Sequence, residues 1–514
     1  MSVRLQLKFT PKEASDEAFL QRQFLKHAGY QSGTVVWVKK SLDSRGRNPL
    51  FLISADVYSE AEVPQEQEGF KLHNVSQKPE VHIIGAGPAG LYAALQAIEL
   101  GYKPVIIERG KGVKERRRDL AVLNKEKTVN PDSNYCFGEG GAGTYSDGKL
   151  YTRSNKRGPV QKVLQSLVDY GAKDSILYEA HPHIGTNKLP GLVEAIRNQI
   201  IECGGEVRFD TKLVDFEVSD QRIKRLIFAD GGIESVDYVV LATGHSARDI
   251  FELLDRKKVA IESKPFALGV RMEHPQSVID QIQYKCEIRD EHLPPSSYSL
   301  VEQINGRGVF SFCMCPGGII APAATSPGEV VVNGWSPSKR NGQFANSGFV
   351  VSVDDQDFKP FEKYGDLRAM NFQKFWEQTC FERTGSISAP AQRIDDFIGG
   401  RVSDSLPDCS YIPGLVSTSL YDVMPKAVSL RIKEALVVLG RKMPGLRSNE
   451  GILVGVESRT SSPVRIPRDS ESLNHPQILN LFPCAEGAGY AGGIMSAALD
   501  GIRVLESIHR TTLV

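Results

Sequence analysis

One stretch of the sequence, VHIIGAGPAGLYAALQAIELGYKPVIIERG from Val81, constrains the fold more than any other. An apolar run leads into Gly85, Gly87 and Gly90, an Ala- and Leu-rich helical pattern follows, and a second apolar run ends at Glu108. This order predicts a strand, a tight turn, a helix and a second strand that ends in an acid. The chain is therefore expected to be an α/β protein with a Rossmann-like sheet.

The glycines of this turn have separate physical roles in holding a dinucleotide. Gly85 lets the chain leave the strand sharply, Gly87 lets the backbone approach a pyrophosphate, and Gly90 lets the helix pack against the sheet. The helix N-terminus presents unpaired N–H groups to the phosphates. Glu108 follows Gly85 by 23 residues, where an acid accepts hydrogen bonds from ribose hydroxyls. The stretch therefore predicts an adenine dinucleotide.

The same fingerprint serves FAD and NAD, and two distant segments favour FAD. LATGHS (241–246) follows a run of short predicted strands (205–244) and resembles a segment that many flavoproteins place near their cofactor. LFPCAEGAGYAGGIMSAALDG (481–501) is rich in glycine ahead of a predicted helix from about Ile494, whose dipole favours a reduced, anionic flavin. An NAD dehydrogenase needs no such second segment. We therefore expect FAD as the cofactor.

Composition limits the classes of partner. The 62 Lys and Arg residues balance 62 Asp and Glu residues, which argues against bulk attraction to nucleic acid or an anionic membrane. No apolar run reaches the roughly 20 residues that span a bilayer, and the N-terminus lacks a signal-peptide core. The eight cysteines are scattered and form no disulfide framework. We expect a cytoplasmic protein.

Pattern changes along the chain of 514 residues divide it into four parts. Residues 1–65 are expected to form a small N-terminal α+β domain of ferredoxin-like type, followed by a polar linker with two prolines. A discontinuous Rossmann-like FAD-binding domain is predicted for 79–264 and 451–514. The intervening residues 265–450 are predicted to form an inserted α+β substrate or lid domain.

Long, unusual strings outside the dinucleotide motif carry a family resemblance. They are GEGGAGTYSDGKL (138–150), HPHIGTNKL (181–189), KPFALGVRMEHPQ (264–276), FCMCPGG (312–318) and ESRTSSPVRIPRD (457–469). With them, the chain resembles over nearly its whole length a family of bacterial FAD-dependent dehydrogenases of unassigned activity. That family lies in the flavoprotein superfamily that also contains the geranylgeranyl reductases. The resemblance implies a flavin-dependent redox reaction and no particular substrate.

Motifs and resemblance together predict the residues around FAD. They are Gly85, Gly87, Pro88, Ala89, Gly90, Glu108, Arg109, Gly140, Gly141, Ser146, Asp147, Ala242, Thr243, Gly244, Glu486, Gly487, Gly489, Tyr490, Ala491, Gly492, Gly493 and Ile494. No metal is expected, because His181 and His183 lack further ligands at a usable spacing. The charge run KGVKERRRD (111–119) is typical of a solvated helix face.

Three polar side chains are candidates for catalysis, each with a structural alternative. Lys149 would meet the negative charge that reduction builds at the N1–C2=O edge of a flavin, or it belongs to a loop that caps a helix. His183 would donate a proton to a carbonyl or alkene while the flavin gives hydride, or it is a hydrogen-bonded structural histidine. The same pair of interpretations applies to His245. The catalytic residue stays open.

Two further groups have both a functional and a structural interpretation. Cys313 and Cys315 would exchange electrons with the flavin as a thiol pair. However, a CxC disulfide on an extended strand is strained, which favours packing in the wall of a substrate site. Arg459, Arg465 and Arg468 either bind an anionic substrate or form a salt-bridged loop.

These features predict an FAD-dependent oxidoreductase that transfers hydride between flavin N5 and an unidentified small-molecule substrate. Without a second Rossmann unit, electrons would come from NAD(P)H that binds transiently or from another protein. The alternative is a flavin-dependent RNA-associated protein, such as a tRNA modifier, with Trp37 and Phe51 on the N-terminal sheet as base-stacking candidates. The zero net charge argues against that alternative, and nucleic acid is not expected as a partner.

Overall fold

A computed structural model of the protein describes residues 2–62, 69–151 and 158–512. Part of the predicted linker after the N-terminal unit, 63–68, lies outside the described residues. Among those that are described, none of the helices is long and apolar enough to cross a membrane.

The N-terminal unit is a three-stranded antiparallel sheet with a helix against it. Its strands are Val3–Phe9, Gly33–Asp43 and Leu50–Ser59, with the third in the middle, and its helices are Pro11–Ala14 and Glu17–Ala28. The longer helix is capped at its N-terminus by Asp16, whose carboxylate accepts a hydrogen bond from the Phe19 N–H. At its C-terminus it is capped by Gly29, with φ 78°. This is the β-α-β-β part of the predicted ferredoxin-like arrangement, and residues 2–62 contain no second helix–strand half.

The dinucleotide stretch lies in a five-stranded parallel sheet. In spatial order the strands are Leu481–Pro483, Val239–Leu241, Glu80–Ile84, Lys103–Ile107 and Glu206–Arg208. Their near-continuous burial fits a parallel sheet covered on both faces. The helices that accompany it are Pro88–Glu99, Val113–Glu126, Val160–Asp169, Leu189–Glu202, Arg248–Arg256 and Ile494–Thr512. The outermost strand comes from the end of the chain, so the sheet is discontinuous in sequence, as predicted.

A three-stranded antiparallel meander follows the fifth strand of this sheet in sequence. Its strands are Leu213–Ser219, Arg222–Phe228 and Ile233–Ser235. It delivers the chain to Val239–Leu241, next to the dinucleotide strand. The LATGHS segment therefore starts at the carboxyl edge of the parallel sheet, where ligands bind in open α/β folds.

The inserted region forms an eight-stranded mixed sheet. Seven strands run in the order Val301–Ile304, Arg307–Pro322, Phe344–Val353, Phe266–Pro275, Ile452–Glu457, Ala389–Arg393 and Leu415–Ser417, and Val332–Trp335 pairs with Arg307–Pro322. Its helices are Gln276–Tyr284, Asp355–Phe358, Arg368–Thr384, Ile394–Gly399 and Lys426–Lys442. A short ladder of Glu262–Ser263 and Val464–Arg465 lies where the chain enters and leaves this region.

Ile452–Glu457 lies between two strands of the insert, so the mixed sheet continues past the predicted boundary at 450. The four-part division of the chain at its stated residues stays a prediction. The two large sheets have separate apolar cores, and the strand Phe266–Pro275 is buried along almost its whole length. Two charged residues of that strand, Arg271 and Glu273, are fully buried as well.

Candidate functional site

A cavity of about 330 Å³ is lined by residues of both large sheets. From the parallel sheet and its loops come Gly85, Gly87 and Glu108, and from the mixed sheet come Phe312 and Asn333. The carboxyl ends of the parallel strands and the face of the insert therefore enclose one shared space.

Most of the predicted cofactor residues line this cavity. They are Gly85, Gly87, Pro88, Ala89, Glu108, Arg109, Gly141, Ser146, Ala242, Thr243, Gly244, Glu486, Gly492, Gly493 and Ile494, and the candidate His245 joins them. The remaining predicted residues are not in the cavity wall. They are Gly90, Gly140, Asp147, Gly487, Gly489, Tyr490 and Ala491, together with the candidates Lys149 and His183.

The three glycines of the turn differ in what surrounds them. A Cβ on Gly90 would lie 1.9 Å from the Gly85 carbonyl oxygen, and one on Gly85 would lie 2.5 Å from the Ala242 carbonyl oxygen. Both glycines are therefore required by close packing. A Cβ on Gly87 would meet nothing nearer than the Gly141 Cα at 4.0 Å. Gly87 thus leaves open space in the cavity, as a pyrophosphate site requires.

The Glu108 carboxylate is held in place by backbone amides. Oε2 accepts from the Ala86 N–H at 2.9 Å, and Oε1 accepts from the N–H groups of Gly110 at 2.9 Å and Gly138 at 3.0 Å. A carboxylate has about four acceptor positions, so these three bonds leave capacity for a ribose hydroxyl. The same bonds tie the glycine-rich loop from Gly138 to the dinucleotide turn.

The charged residues from Lys114 to Arg118 are exposed, as predicted for a solvated helix face, except Arg116, which supports this loop. Its side chain is fully buried. The guanidinium donates to the carbonyl oxygens of Asn134 at 2.8 Å, Glu139 at 2.7 Å and Gly141 at 2.9 Å. The sequence does not distinguish Arg116 from the other arginines and lysines of the run, so its structural role could not be predicted.

The C-terminal glycine segment meets the LATGHS segment at the cavity. A Cβ on Gly487 would lie 2.9 Å from the Gly244 nitrogen, so the two backbones touch. The Gly493 N–H donates to Oε1 of Glu486, while its own Cα faces open space. The helix Ile494–Thr512 begins at this point, and its N-terminus directs positive dipole charge toward the cavity.

Three residues of the LATGHS segment in the cavity wall carry buried polar atoms that lack a hydrogen-bond partner among the described residues. They are Oγ1 of Thr243, Nδ1 of His245 and Oγ of Ser246. Leaving such an atom unsatisfied costs about 1–3 kcal/mol, and a bound polar molecule would remove that cost. Together with the open space at Gly87 and the spare capacity of Glu108, these atoms fit a bound FAD.

His245 is the candidate acid or base that faces the cavity. Its Nε2 lies 3.7 Å from Oε2 of Glu486. Burial lowers the pKa of the imidazole, and the attraction of Glu486 opposes that shift only in part. His245 is therefore neutral at neutral pH, with Nδ1 free to share a proton with a bound group.

The other two candidates are engaged elsewhere. The Lys149 ammonium donates to the Met314 carbonyl oxygen and lies 3.6 Å from Oδ2 of Asp147. His183 Nε2 lies 3.1 Å from the Ser338 carbonyl oxygen, which is the structural alternative considered for it. Lys149 and His183 face each other in an isolated β-bridge.

The three arginines of 457–469 do not form a common anion site. Arg459 is buried and pairs with Glu329 at 2.9 Å and Glu377 at 3.0 Å. Arg468 pairs with Asp500 at 2.7 Å. Arg465 lies over the Tyr490 ring, 5.6 Å from its centroid. Arg459 and Arg468 thus agree with the salt-bridged interpretation, although Arg459 also lines the cavity, whereas Arg465 is exposed.

The two aromatic rings on which the RNA alternative rests are both half-buried. Trp37 packs edge-on against Phe24, with ring centroids 5.4 Å apart, and also contacts Tyr178. The Lys40 ammonium lies 5.2 Å from the centroid of the Phe51 ring. Both rings pack against the core of the N-terminal unit, so only part of each ring is open to a base.

Several cavity residues were not among those predicted to surround FAD. Phe312 and Thr460 line the wall and stand in the strings FCMCPGG and ESRTSSPVRIPRD, which carry the family resemblance but indicate no cofactor contact. Asn333 lies in no such string, and the pairing of Val332–Trp335 with Arg307–Pro322 brings it to the cavity. Cys313 also lines the cavity, which agrees with its interpretation as part of the wall of a substrate site.

Comparisons with known proteins place the chain among flavoproteins. A family model described as the C-terminal domain of an FAD-dependent protein matches residues 265–460, and a domain of unknown function matches residues 1–58. An uncharacterized protein of Clostridium beijerinckii is 39% identical over 492 residues, which cover 92% of this chain and 91% of that protein. Thiamine thiazole synthase of Aeropyrum pernix is 26% identical over 197 residues, 35% of this chain and 60% of that protein.

Solved structures similar to this chain are remote in sequence. L-proline dehydrogenase from P. horikoshii aligns with a TM-score of 0.36 and 13% identity over 86% of this chain and 95% of its own. Glycine oxidase from Bacillus cereus aligns with a TM-score of 0.33 and 13% identity over 85% and 96%. The relation to the geranylgeranyl reductases stays a prediction. The chain belongs to the family of FAD-dependent proteins that carry this C-terminal domain, and FAD is its cofactor.

Proposed function

We propose that this protein is an FAD-dependent oxidoreductase that transfers hydride between flavin N5 and a carbon of a small organic substrate. FAD supplies the two-electron chemistry when it is bound. The observation that supports the proposal is a single cavity lined both by the dinucleotide turn, with Gly87 and Glu108, and by the insert, with Phe312 and Asn333. A substrate bound against the insert would share one enclosed space with the cofactor.

In this proposal, the predicted cofactor residues that line the cavity hold FAD. Gly87 and the amides at the start of the helix Pro88–Glu99 receive the pyrophosphate, and Glu108 accepts from the ribose. Gly492 and Gly493, on which a Cβ would meet nothing within 4 Å, leave room for the remainder of the cofactor. The insert forms the wall on the substrate side.

His245 is the residue we assign to proton transfer. It lines the cavity, it is neutral because burial lowers its pKa, and its Nδ1 has no hydrogen-bond partner among the described residues. A neutral imidazole can take a proton from the substrate, or return one, while the hydride moves. Lys149 and His183 are less suited, since neither is in the cavity wall.

His245 can be tested without knowing the substrate, because protonation of its ring would change the environment of a bound flavin. In the wild type, the visible flavin spectrum should shift in one step at a pH below about 6.5, since burial lowers the pKa of His245. His245→Gln should abolish that step, whereas the control His183→Gln should keep it. A step that persists in His245→Gln would reject this assignment.

The overall proposal is tested by visible spectra of purified protein under nitrogen, before and after addition of NADH or NADPH. Loss of the flavin band would identify a nicotinamide as the direct electron donor, and the search would turn to oxidising substrates. A stable flavin band would point to a protein donor or to a substrate that is itself the reductant. Absence of any flavin band, including after incubation with FAD, would overturn the proposal.

A further inference from the structure

The sulfur of Cys315 lies between two cations. Nη2 of the buried Arg271 is 3.5 Å from Sγ, and Nζ of the half-buried Lys149 is 3.9 Å from it. Reactive cysteines are found next to Lys and Arg side chains. This environment is unusual for a buried cysteine, which normally packs as a small apolar residue.

The Arg271 side chain is fixed in this position by the surrounding structure. Nε donates to Oδ1 of Asn346 at 2.9 Å, and Nη1 donates to Oε1 of Glu457 at 3.0 Å. Nη2 donates to the Cys313 carbonyl oxygen at 2.7 Å. A Cβ on Gly334 would lie 2.1 Å from Nη2, so only glycine leaves room for the guanidinium. The second cation, Lys149, is held at the Met314 carbonyl oxygen.

Cys313 connects this charged site to the cavity. Its side chain lines the cavity wall, and Sγ of Cys315 lies 3.2 Å from its carbonyl oxygen. The chain is not extended here, because Cys313 has φ 44° and the pairing register shifts between Phe312 and Cys315. This bulge removes the extended geometry that argued against a bond between the two sulfurs. Cys313 is exposed, so its thiol is open to the cavity.

We propose that Cys313 and Cys315 are a redox-active thiol pair that exchanges two electrons with FAD. The proposal rests on the proposed function in one respect, namely that FAD occupies the cavity which Cys313 lines. It adds a second two-electron centre to that site and makes a disulfide–dithiol couple part of the electron path. The class of partner that fits such a path is a disulfide or thiol compound.

The exchange balances in atoms and charge. A bond forms between the sulfurs of Cys313 and Cys315, both thiols lose their protons, and two electrons leave the pair. FAD takes up those two electrons and one of the protons, which gives the reduced, anionic flavin, and the other proton leaves to solvent. The reverse direction cleaves the disulfide and returns a proton to each sulfur. Strained disulfides have more oxidising potentials than structural ones, which suits a bond between cysteines two residues apart.

The test is an anaerobic titration of the purified holoenzyme with dithionite, after treatment with diamide and removal of the excess. We expect the wild type to take up four electrons per FAD, two for the flavin and two for the disulfide. Cys315→Ser and Cys313→Ser should each take up two. Cys286→Ser changes a cysteine that does not line the cavity and should still take up four.

A mass measurement makes the result independent of variant folding. After diamide treatment, the wild-type peptide that contains both cysteines should be lighter by two hydrogen atoms and should regain them on reduction. Uptake of two electrons per FAD by the wild type, or an unchanged peptide mass, would overturn the thiol pair while leaving the flavin assignment intact. A preparation with no flavin band would instead contradict the proposed function.

Discussion

At the scale of single residues, the three glycines of the turn differ in why they have no side chain. Two of them, Gly85 and Gly90, are required by close backbone packing, and the third, Gly87, leaves space for a ligand. Gly85 and Gly90 sit where a side chain would overlap a backbone carbonyl, so a substitution there disrupts the turn itself. Gly87 faces open cavity space, so a side chain would fit in the unliganded protein. This difference allows cofactor binding to be impaired without damage to the fold.

Gly87→Val should therefore lose FAD while the protein remains folded. The isopropyl group would occupy the space next to the helix N-terminus that a pyrophosphate needs. We expect at least about a tenfold weaker affinity, equivalent to roughly 1.4 kcal/mol, measured as the flavin absorbance retained per protein after dialysis. Gly191→Ala is the matched control, since Gly191 also faces open space but lies outside the cavity. Full retention of FAD by Gly87→Val would contradict the predicted role of this turn.

At the scale of elements, the sequence predicts well what depends on local pattern. The turn around Gly85, the N-terminal helix that ends at Gly29 and the helix from Ile494 all follow from periodicity and glycine placement. No such local pattern predicts the contacts between elements that are distant in sequence. The buried position of Arg116 and the contact of Cys315 with Arg271 arise only from packing, and charge or cysteine spacing alone gives them no distinctive signal.

A buried charge network shows how elements of the two large units are joined. Arg248, at the start of the helix Arg248–Arg256, pairs with Glu329 at 2.9 Å and with Glu377 at 2.8 Å. Arg459 pairs with the same two carboxylates. Burial by itself would raise the pKa of Glu377, but the attraction of Arg248 and Arg459 outweighs it and lowers the pKa to about 2. Glu377 is thus ionised, whereas burial raises the pKa of Glu329. The network links the parallel sheet to the insert.

Glu377→Gln should destabilise the protein strongly, because it leaves two buried guanidinium groups with one carboxylate between them. Removing one partner of a buried ion pair costs about 3–5 kcal/mol. The control Asp56→Asn breaks the ion pair with Arg4, whose side chain is 66% exposed, and should cost less than about 1 kcal/mol. Chemical denaturation of the two variants measures the difference, and equal effects would refute a structural role for the network.

At the scale of the whole molecule, the chain passes through the insert and returns to the parallel sheet, so the parallel sheet is discontinuous in sequence while the insert is one continuous stretch. The returning strand Ile452–Glu457 pairs with Phe266–Pro275. His274, in the strand Phe266–Pro275 itself, is completely buried, and its Nε2 lies 2.8 Å from the Leu446 carbonyl oxygen. This histidine lies where the strand that enters the insert pairs with the strand that leaves it, and burial keeps its ring neutral. The stability of the molecule is therefore sensitive to acid.

The acid sensitivity has a definite sign and range. Burial lowers the pKa of His274 to about 4, whereas an unfolded histidine titrates near 6.5. The unfolded state therefore binds more protons between these two values, and the free energy of unfolding falls as the pH drops from about 6.5 to about 4. The full loss amounts to about 3 kcal/mol. His274→Gln keeps a side-chain N–H for the Leu446 carbonyl and does not titrate, so its free energy of unfolding should fall by about that much less over the same range. Denaturation curves of both proteins at neutral and acidic pH measure this difference. If the free energy of unfolding falls equally in the two proteins on acidification, His274 does not cause the acid sensitivity.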